Sequence, residues 1–297
     1  MYNDSKNFSV SQRETEKEEN VYPYQIVFGL GLYEIFLVVG LVLALFLGDY
    51  MGTKRGLSVP LQKTLIFATL IAILGGFFGA ILFQALYNYG ATGVFEINAT
   101  TGMTFYGGLI FGVGLFLAVW FGLGKVLCKS NEPMQKFGAI GDIAACIIPM
   151  AHGFGRLGCF TAGCCHGRVT DAWYGVRMYT ENGWQKVVPV QLFEALFLFA
   201  LAAVLFWVFF RDLKKGRKFP LFPIYCIGYG VWRFLIEYAR ADDRGATIVS
   251  FLSPSQLIAI VLFLAGILYF CLWFFLIFKK KPQETDLKDT EESTLEE

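Results

Sequence analysis

The chain has 297 residues, of which 56% are hydrophobic and 16% charged, with a formal net charge of +1. Soluble domains carry about 25% charged residues, so this balance excludes an ordinary soluble enzyme, a disordered chain and a secreted disulfide scaffold. The near-neutral charge also argues against a nucleic-acid partner, which needs a basic face.

The placement of charge sharpens this reading. Eight charged residues fall in the first 22 positions and 11 in residues 279–297, leaving 30 for residues 23–278. With a mean hydropathy of +0.53, the pattern predicts an all-α fold: a polytopic membrane helical bundle with polar tails. The first 20 residues are polar and acidic, unlike a cleavable signal peptide, so the first apolar stretch is expected to be an uncleaved anchor. A membrane span needs roughly 20 apolar residues. Seven stretches qualify, at about 24–48, 64–88, 105–127, 138–158, 191–210, 220–240 and 253–278. The fourth and sixth are the least apolar, carrying Asp142, His152 and Arg156, and Arg233 and Glu237.

Orientation follows from Lys and Arg in the loops. Basic residues gather after the first stretch (Lys54, Arg55, Lys63), the third (Lys125, Lys129, Lys136), the fifth (Arg211, Lys214, Lys215, Arg217, Lys218) and the seventh (Lys279, Lys280, Lys281). Residues 89–104 contain none, 159–190 contain Arg168, Arg177 and Lys186, and 241–252 contain only Arg244. Seven spans then put the N-terminus outside and the C-terminus in the cytoplasm. The expected organisation is an extracytoplasmic tail at 1–23, a transmembrane domain at 24–278 and a charged cytoplasmic tail at 279–297. The outer connection 159–190 holds Trp173, Tyr174, Tyr179 and Trp184, which suits a small extracytoplasmic cap at the headgroup level.

Within this frame the polar residues of the apolar stretches stand out. Tyr106-Gly107-Gly108 opens the third span, where two glycines permit a bend or close lipid approach and a tyrosine hydroxyl can meet a substrate; an interfacial aromatic is the alternative. Arg156 lies near the outer end of the fourth span, and His152 reads as a packing histidine. Cys159, Cys164, Cys165 and His166 follow. Their C-x4-C-C-H spacing matches no structural zinc pattern, and a disulfide, thiol chemistry or simple packing stay open. The other cysteines, Cys128, Cys146, Cys226 and Cys271, read as small hydrophobes. Gln191 and Glu194 open the fifth span, where capping and a direct role stand side by side. Arg233, Glu237 and Arg240 form one ladder if helical. Intramembrane charges normally face the bundle interior and pair, so the ladder reads either as a packing device or as an anion site. Arg156 and Arg233 are expected to converge beneath the outer headgroups, where an Arg fork suits phosphate.

These residues resemble a known family, the phosphatidylglycerol–prolipoprotein diacylglyceryl transferases. Gly155-Arg156-Leu157-Gly158-Cys159-Phe160 with Gly163 and Gly167-Arg168 is similar to the signature G-R-x-G-N-F-x-N-x-E-x-x-G, in a version resembling G-C-F-x-x-G-C-C-x-G. Phe105–Ile110 is similar to H-G-G-L-I, Pro189–Glu194 to P-S-Q-L-Y-E, Gly228–Arg240 to Y-G-x-x-R-F-x-x-E-x-x-R, and more weakly Gly76–Gly79 to G-R-L-G. The chain departs from the pattern at Tyr106 (His in the family), Cys159 and Ala162 (Asn), Cys164 (Glu), Phe77 (Arg) and Phe28 (Tyr in the first span).

The resemblance implies a seven-span transferase of the bacterial plasma membrane. It would move diacylglycerol from phosphatidylglycerol to the lipobox cysteine thiol of a prolipoprotein, among membrane lipids, with no metal and no cofactor. It implies catalytic positions at Arg156, Arg233, Tyr106 and Glu237, and substrate-binding positions at Gly107, Gly108, Gly158, Cys159, Gly167, Gln191, Glu194 and Arg240. Arg156 and Arg233 would stabilise the phosphate charge. Tyr106 would orient the lipid or relay a proton. The alternatives are a phospholipid transferase with another acceptor and a non-enzymatic membrane thiol module.

Overall fold

In the computed structural model the described residues are 25–27, 30–98, 101–180, 182–216, 219–241 and 251–295. The first-span residue Phe28, the 1–23 tail and the Arg217, Lys218 and Arg244 positions lie outside them. Among the described residues helices dominate, with two small antiparallel hairpins. β1 (Gln25–Val27) pairs with β2 (Leu30–Gly31), so the first apolar stretch becomes helical only at Leu32.

The helices are α1 (Leu32–Lys54), α2 (Val59–Thr92), α3 (Phe105–Ala118), α4 (Gly124–Cys128), α5 (Glu132–Gln135), α6 (Phe137–Thr161), α7 (Val190–Lys214), α8 (Phe222–Ile236) and α9 (Pro254–Leu295). A π-helical turn at Val119–Leu123 joins α3 to α4, so that Tyr106–Cys128 forms one continuous span. Among the described residues six helices are long and apolar enough to cross a membrane, in keeping with an all-α membrane protein, and the expected sixth stretch, 220–240, forms a helix shorter than that. α8 has 15 residues, and Pro223 in its first turn and a 3-10 turn at Glu237–Ala239 bound it. Apolar side chains stay exposed along the spans, for example Val42, Phe46, Leu74 and Leu264, as helices facing hydrocarbon require.

The chain divides into two units, Ala44–Ala144 and the remainder. In the first, Ser58 caps α2, Pro60 lies in its first turn, and Gly93 ends it in the left-handed region at φ 73. α2 and α3 pack through small residues. A Cβ on Gly107 would stand 2.3 Å from the Gly79 carbonyl oxygen, and one on Gly79 would stand 2.5 Å from Phe111 Cβ. Such contacts let helices associate where lipid offers no hydrophobic drive. Trp120 is fully buried and donates its indole N–H to the Pro133 carbonyl at 3.0 Å. At one end of the unit Arg55 pairs with Asp142 at 3.1 Å, and Glu132 accepts from the Ser58 amide at 3.0 Å and hydroxyl at 2.6 Å.

In the second unit α6 carries Pro149 inside its run, which removes one backbone bond from the ladder. α8 lies against α9 through Gly230, whose added Cβ would meet the Ala259 carbonyl oxygen at 2.9 Å, and Gly266, facing Cys226 and Pro223. Phe197 of α7 stacks on Trp232 of α8 at 4.4 Å. The connection from α6 to α7 holds a hairpin, β3 (Val176–Thr180) with β4 (Gly183–Val187), so this cap is stranded, which the all-α expectation did not include. Tyr179 and Trp184 face each other across it at 5.8 Å, and Trp173 is 92% exposed.

Candidate active site

The second unit places five charged side chains in one chain of alternating sign. Arg156 Nε lies 2.9 Å from Glu194 Oε2, Glu194 Oε2 lies 3.9 Å from Arg240 Nη1, Arg240 Nε lies 3.9 Å from Glu237 Oε2, and Glu237 Oε2 lies 2.7 Å from Arg233 Nη1. The Glu194 side chain is fully buried, and the other four are at most 13% exposed. Burying charge is costly unless it is paired, and each carboxylate here has guanidinium groups on two sides. Three guanidinium groups against two carboxylates leave a net charge of +1.

Local sequence explains the order. Arg156 sits one turn before the end of α6. Glu194 is one turn into α7, on its buried face beside Val190, Gln191 and Leu198. Arg233 and Glu237 are four residues apart and pair along one helical edge. Arg240 leaves that edge. The 3-10 turn ends at Ala239 and Arg240 is extended, at φ −81 and ψ 156, so its guanidinium reaches Glu194 as well as Glu237. The helical ladder expected over 233–240 therefore holds for the first pair only.

Two uncharged groups complete the surroundings of Glu194. The Tyr229 hydroxyl donates to Oε1 at 3.2 Å, and His152 Nε2 stands 3.9 Å from the same oxygen with its ring edge-on to Tyr229 at 5.5 Å. On Glu237 the Ser253 hydroxyl donates to Oε1 at 2.7 Å. In the sequence Tyr229 and Ser253 are not singled out, and His152 reads as a packing histidine. Tyr229 is four residues before Arg233 and His152 four before Arg156, so the same one-turn spacing finds both. Nothing near Ser253 signals its role.

Not every donor is used. Arg233 Nη1 and Nη2 are buried and make no aligned hydrogen bond among the described residues, although Nη1 is at ion-pair distance from Glu237. Gln191 Oε1 is likewise buried without a hydrogen bond there. Buried donors are normally satisfied, so a guanidinium with spare N–H groups in a positively charged cluster favours an anionic ligand.

The capping role considered for Gln191 and Glu194 does not hold. The residue at the start of α7 is Pro189, with no side-chain cap. Gln191 instead donates to the Cys164 carbonyl at 2.6 Å. Gly167 pairs in a β-bridge with Arg240 and donates its amide to the Val188 carbonyl at 2.8 Å. A Cβ there would stand 2.5 Å from the Ala239 carbonyl oxygen. Arg168 reinforces this seam, donating its amide to Ala239 and its guanidinium to the Tyr238 carbonyl. A Cβ on Gly158 would stand 3.0 Å from the Tyr33 ring of α1, so helix packing already explains its glycine. Tyr106, Gly107 and Gly108 belong to the other unit. There the two glycines pack α3 on α2, and Tyr106 is 42% exposed.

One turn beyond Arg156 the sulfur atoms of Cys159, Cys164 and Cys165 lie within 4.8 Å of one another, all as free thiols. Hydrogen bonds from the Cys159 and Cys164 thiols pull Cys165 far below the ordinary thiol value, helped by Arg240 and Arg156 against the effect of burial. The Cys164 thiol is pushed far up by its bonds to Cys159 and Cys165 and by burial. His166 turns away, its Nδ1 3.0 Å from the Gly167 carbonyl oxygen.

Known proteins place this arrangement. The model of the family described as "Prolipoprotein diacylglyceryl transferase" matches residues 23–272. A phosphatidylglycerol–prolipoprotein diacylglyceryl transferase of Clostridium tetani is 32% identical over 254 residues, covering 82% of this chain and 94% of that protein. A second from Clostridium perfringens, numbered 2, is 28% identical over 253 residues, 82% and 92% of the two chains. One from Aliivibrio salmonicida is 31% identical over 269 residues, 87% of each. With the matched region taking in all five members of the charged chain and the three thiols, the chain belongs to the prolipoprotein diacylglyceryl transferase family.

Proposed function

We propose that this chain transfers the diacylglyceryl group of phosphatidylglycerol to the cysteine thiol of a prolipoprotein lipobox. The observation that carries the reading is the buried, net positive chain Arg156–Glu194–Arg240–Glu237–Arg233, in which Arg233 keeps donors unspent. In the reaction the acceptor thiolate attacks the glyceryl carbon, a C–S bond forms and the C–O bond to phosphorus breaks. The electron pair leaves on glycerol 1-phosphate, which gains one negative charge over the starting phosphodiester. Preorganised donors aimed at that growing charge lower the barrier. Arg156 and Arg233 take this role, Glu237 and Arg240 hold Arg233, and Glu194 fixes Arg156 and Arg240.

Gln191 and Gly167 act by holding the Cys164 carbonyl and the Arg240 backbone in place. Tyr106, with Gly107 and Gly108, is assigned to lipid orientation on its motif alone. Cys159 and Gly158 line the same segment as Arg156.

The proposed topology has seven crossings, the short α8 with its 3-10 turn making the sixth. Basic residues end α1 (Lys54), the α3–α4 span (Lys125) and α7 (Arg211, Lys214), and Lys279–Lys281 follow the apolar part of α9. Only a crossing at α8 puts all four ends on the cytoplasmic side. The N-terminus is then outside the bacterial plasma membrane, with residues 1–23 an outer tail, 24–278 the transferase domain and 279–297 cytoplasmic. The test is transfer from phosphatidylglycerol vesicles to a lipobox peptide by the purified protein. Full transfer by both Arg156→Ala and Arg233→Ala would overturn the assignment.

A further inference from the structure

The charged chain leaves one group of reactive side chains unused. Cys159 ends the α6 turn after Arg156, and Cys164 and Cys165 follow the turn at Gly163, which has φ 69. Adjacent side chains in an extended segment point to opposite sides. Here Cys165 is left-handed, at φ 60, a region few non-glycine residues adopt, and both neighbours turn their sulfur atoms to Cys159. Two bonds pin the segment: the Cys164 amide donates to the Cys159 carbonyl at 3.2 Å, and buried Gln191 donates to the Cys164 carbonyl at 2.6 Å.

The three sulfur atoms lie within 4.8 Å of one another. Around a tetrahedral ion with bonds of about 2.3 Å, thiolates stand about 3.8 Å apart, so side-chain rotation suffices to close on an ion. The group is partly open, with Cys164 exposed and Cys159 and Cys165 half-buried. Three ligands with an accessible fourth position mark reacting zinc sites, whereas structural sites are closed by four. The C-x4-C-C spacing, foreign to structural zinc patterns, agrees with that distinction.

We propose that Cys159, Cys164 and Cys165 bind a thiophilic divalent cation, Zn(II), whose fourth position takes the acceptor thiol as a thiolate. The metal site stands on the thiol geometry, while its fourth ligand rests on the transfer reading above. Binding releases three protons from the cysteines and one from the acceptor to solvent. The acceptor sulfur then gives its electron pair to the glyceryl carbon as the C–O bond breaks onto glycerol phosphate. The three cysteines keep the ion, and nothing is oxidised or reduced. Zn(II) with three thiolates carries one negative charge, which the net positive chain beginning at Arg156 offsets.

The test titrates the full-length protein, purified in detergent with its thiols reduced, with Co(II), which reports thiolate ligands by sulfur-to-cobalt charge-transfer absorption. The expected result is saturation at one ion per chain and displacement by Zn(II). C159S, C164S and C165S should each remove about a third of the intensity and weaken binding at least about tenfold, with thermal unfolding and elution volume confirming that each variant folds. A lipobox peptide should then raise the thiolate intensity, and its Cys→Ser form should not. Absence of the absorption, insensitivity to all three substitutions, or a disulfide among these cysteines in thiol-blocked membranes would overturn the site. A site that binds cobalt while chelation leaves transfer at full rate would overturn the fourth-ligand role. Cobalt binding by a chain that transfers nothing would count against the transfer reading and leave the metal site standing.

Discussion

Arg156 and Glu194 meet at 2.9 Å, with the carboxylate fully buried and bridging to Arg240 on its other side. Removing one partner of a buried pair leaves an uncompensated charge, at a cost of about 3–5 kcal/mol. Glu194→Ala is expected to lower the thermal midpoint clearly and to abolish transfer. Glu194→Gln keeps an acceptor for Tyr229 and the side-chain volume, so it should fold better than the Ala variant while transfer stays lost. Equal thermal midpoints for Glu194→Gln and Glu194→Ala would show that the carboxamide recovers nothing.

Arg233 offers a test of fork geometry apart from charge. Its Nη1 pairs with Glu237 while Nη2 keeps its protons free of aligned bonds among the described residues. Lysine supplies the charge without the planar fork. Arg233→Lys should lower kcat by about 10²–10³, the usual loss for one preorganised donor, with the fold retained. A Lys variant at wild-type rate would mean that charge alone suffices.

Gly167 links the cap to the charged chain. An added Cβ would stand 2.5 Å from the Ala239 carbonyl oxygen and 2.8 Å from Val190, so the seam to Arg240 must open. Gly167→Ala should cut transfer at least about tenfold through displacement of Arg240. Gly114→Ala, with nothing within 4 Å of the new Cβ, should change neither rate nor stability. Retention of full transfer by Gly167→Ala would separate the seam from the chemistry.

Much of this arrangement was legible because a charge in an apolar stretch is conspicuous. Arg156, Arg233, Glu237 and Arg240 stood out on that ground alone, and Arg233–Glu237 kept its helical spacing. The centre of the network stays open in the sequence. At Glu194, one turn into α7, capping and a direct role stand side by side, and the fold shows it facing two arginines. Arg240 reaches both carboxylates because a 3-10 turn replaces the last helical turn, a change of backbone with no marker in residue type. For the three cysteines of 159–165, disulfide, thiol chemistry and packing all stay open in the sequence, and their convergence depends on a left-handed Cys165. At 220–240 the apolar run is longer than the helix it forms, because Pro223 and the turn at Glu237 bound α8 to 15 residues.

The packing of α2 on α3 depends on backbone approach, which glycine alone permits. A Cβ at Gly107 would stand 2.3 Å from the Gly79 carbonyl oxygen and 2.5 Å from Phe83 Cβ. Gly107→Ala must therefore part the helices, and overpacking of this kind costs about 1–3 kcal/mol. The variant should unfold at lower temperature, whereas Gly122→Ala, on an open position, should match the wild type. Equal midpoints would show that the interface has slack.

Glu132 gives the fold an acid limit outside the spans. Burial tends to raise its pKa, but hydrogen bonds from the Ser58 hydroxyl and amide outweigh this and lower it. A carboxylate depressed in the folded state contributes stability in full above its unfolded value, about 4.3 for Glu, and loses it as pH falls through the lower native value. Thermal midpoints of the wild type should therefore exceed those of Glu132→Gln by a constant margin from neutral pH down to about 5. The margin should shrink below that as the wild-type carboxylate takes up its proton. Ser58→Ala removes the hydroxyl donor to the carboxylate, and with it the α2 cap, so its midpoint should drop as well. Its margin should also narrow in acid, though less than that of Glu132→Gln, because the amide bond to Glu132 remains. A margin that stayed flat from pH 7 to pH 3 would show that the Ser58 bonds do not depress Glu132.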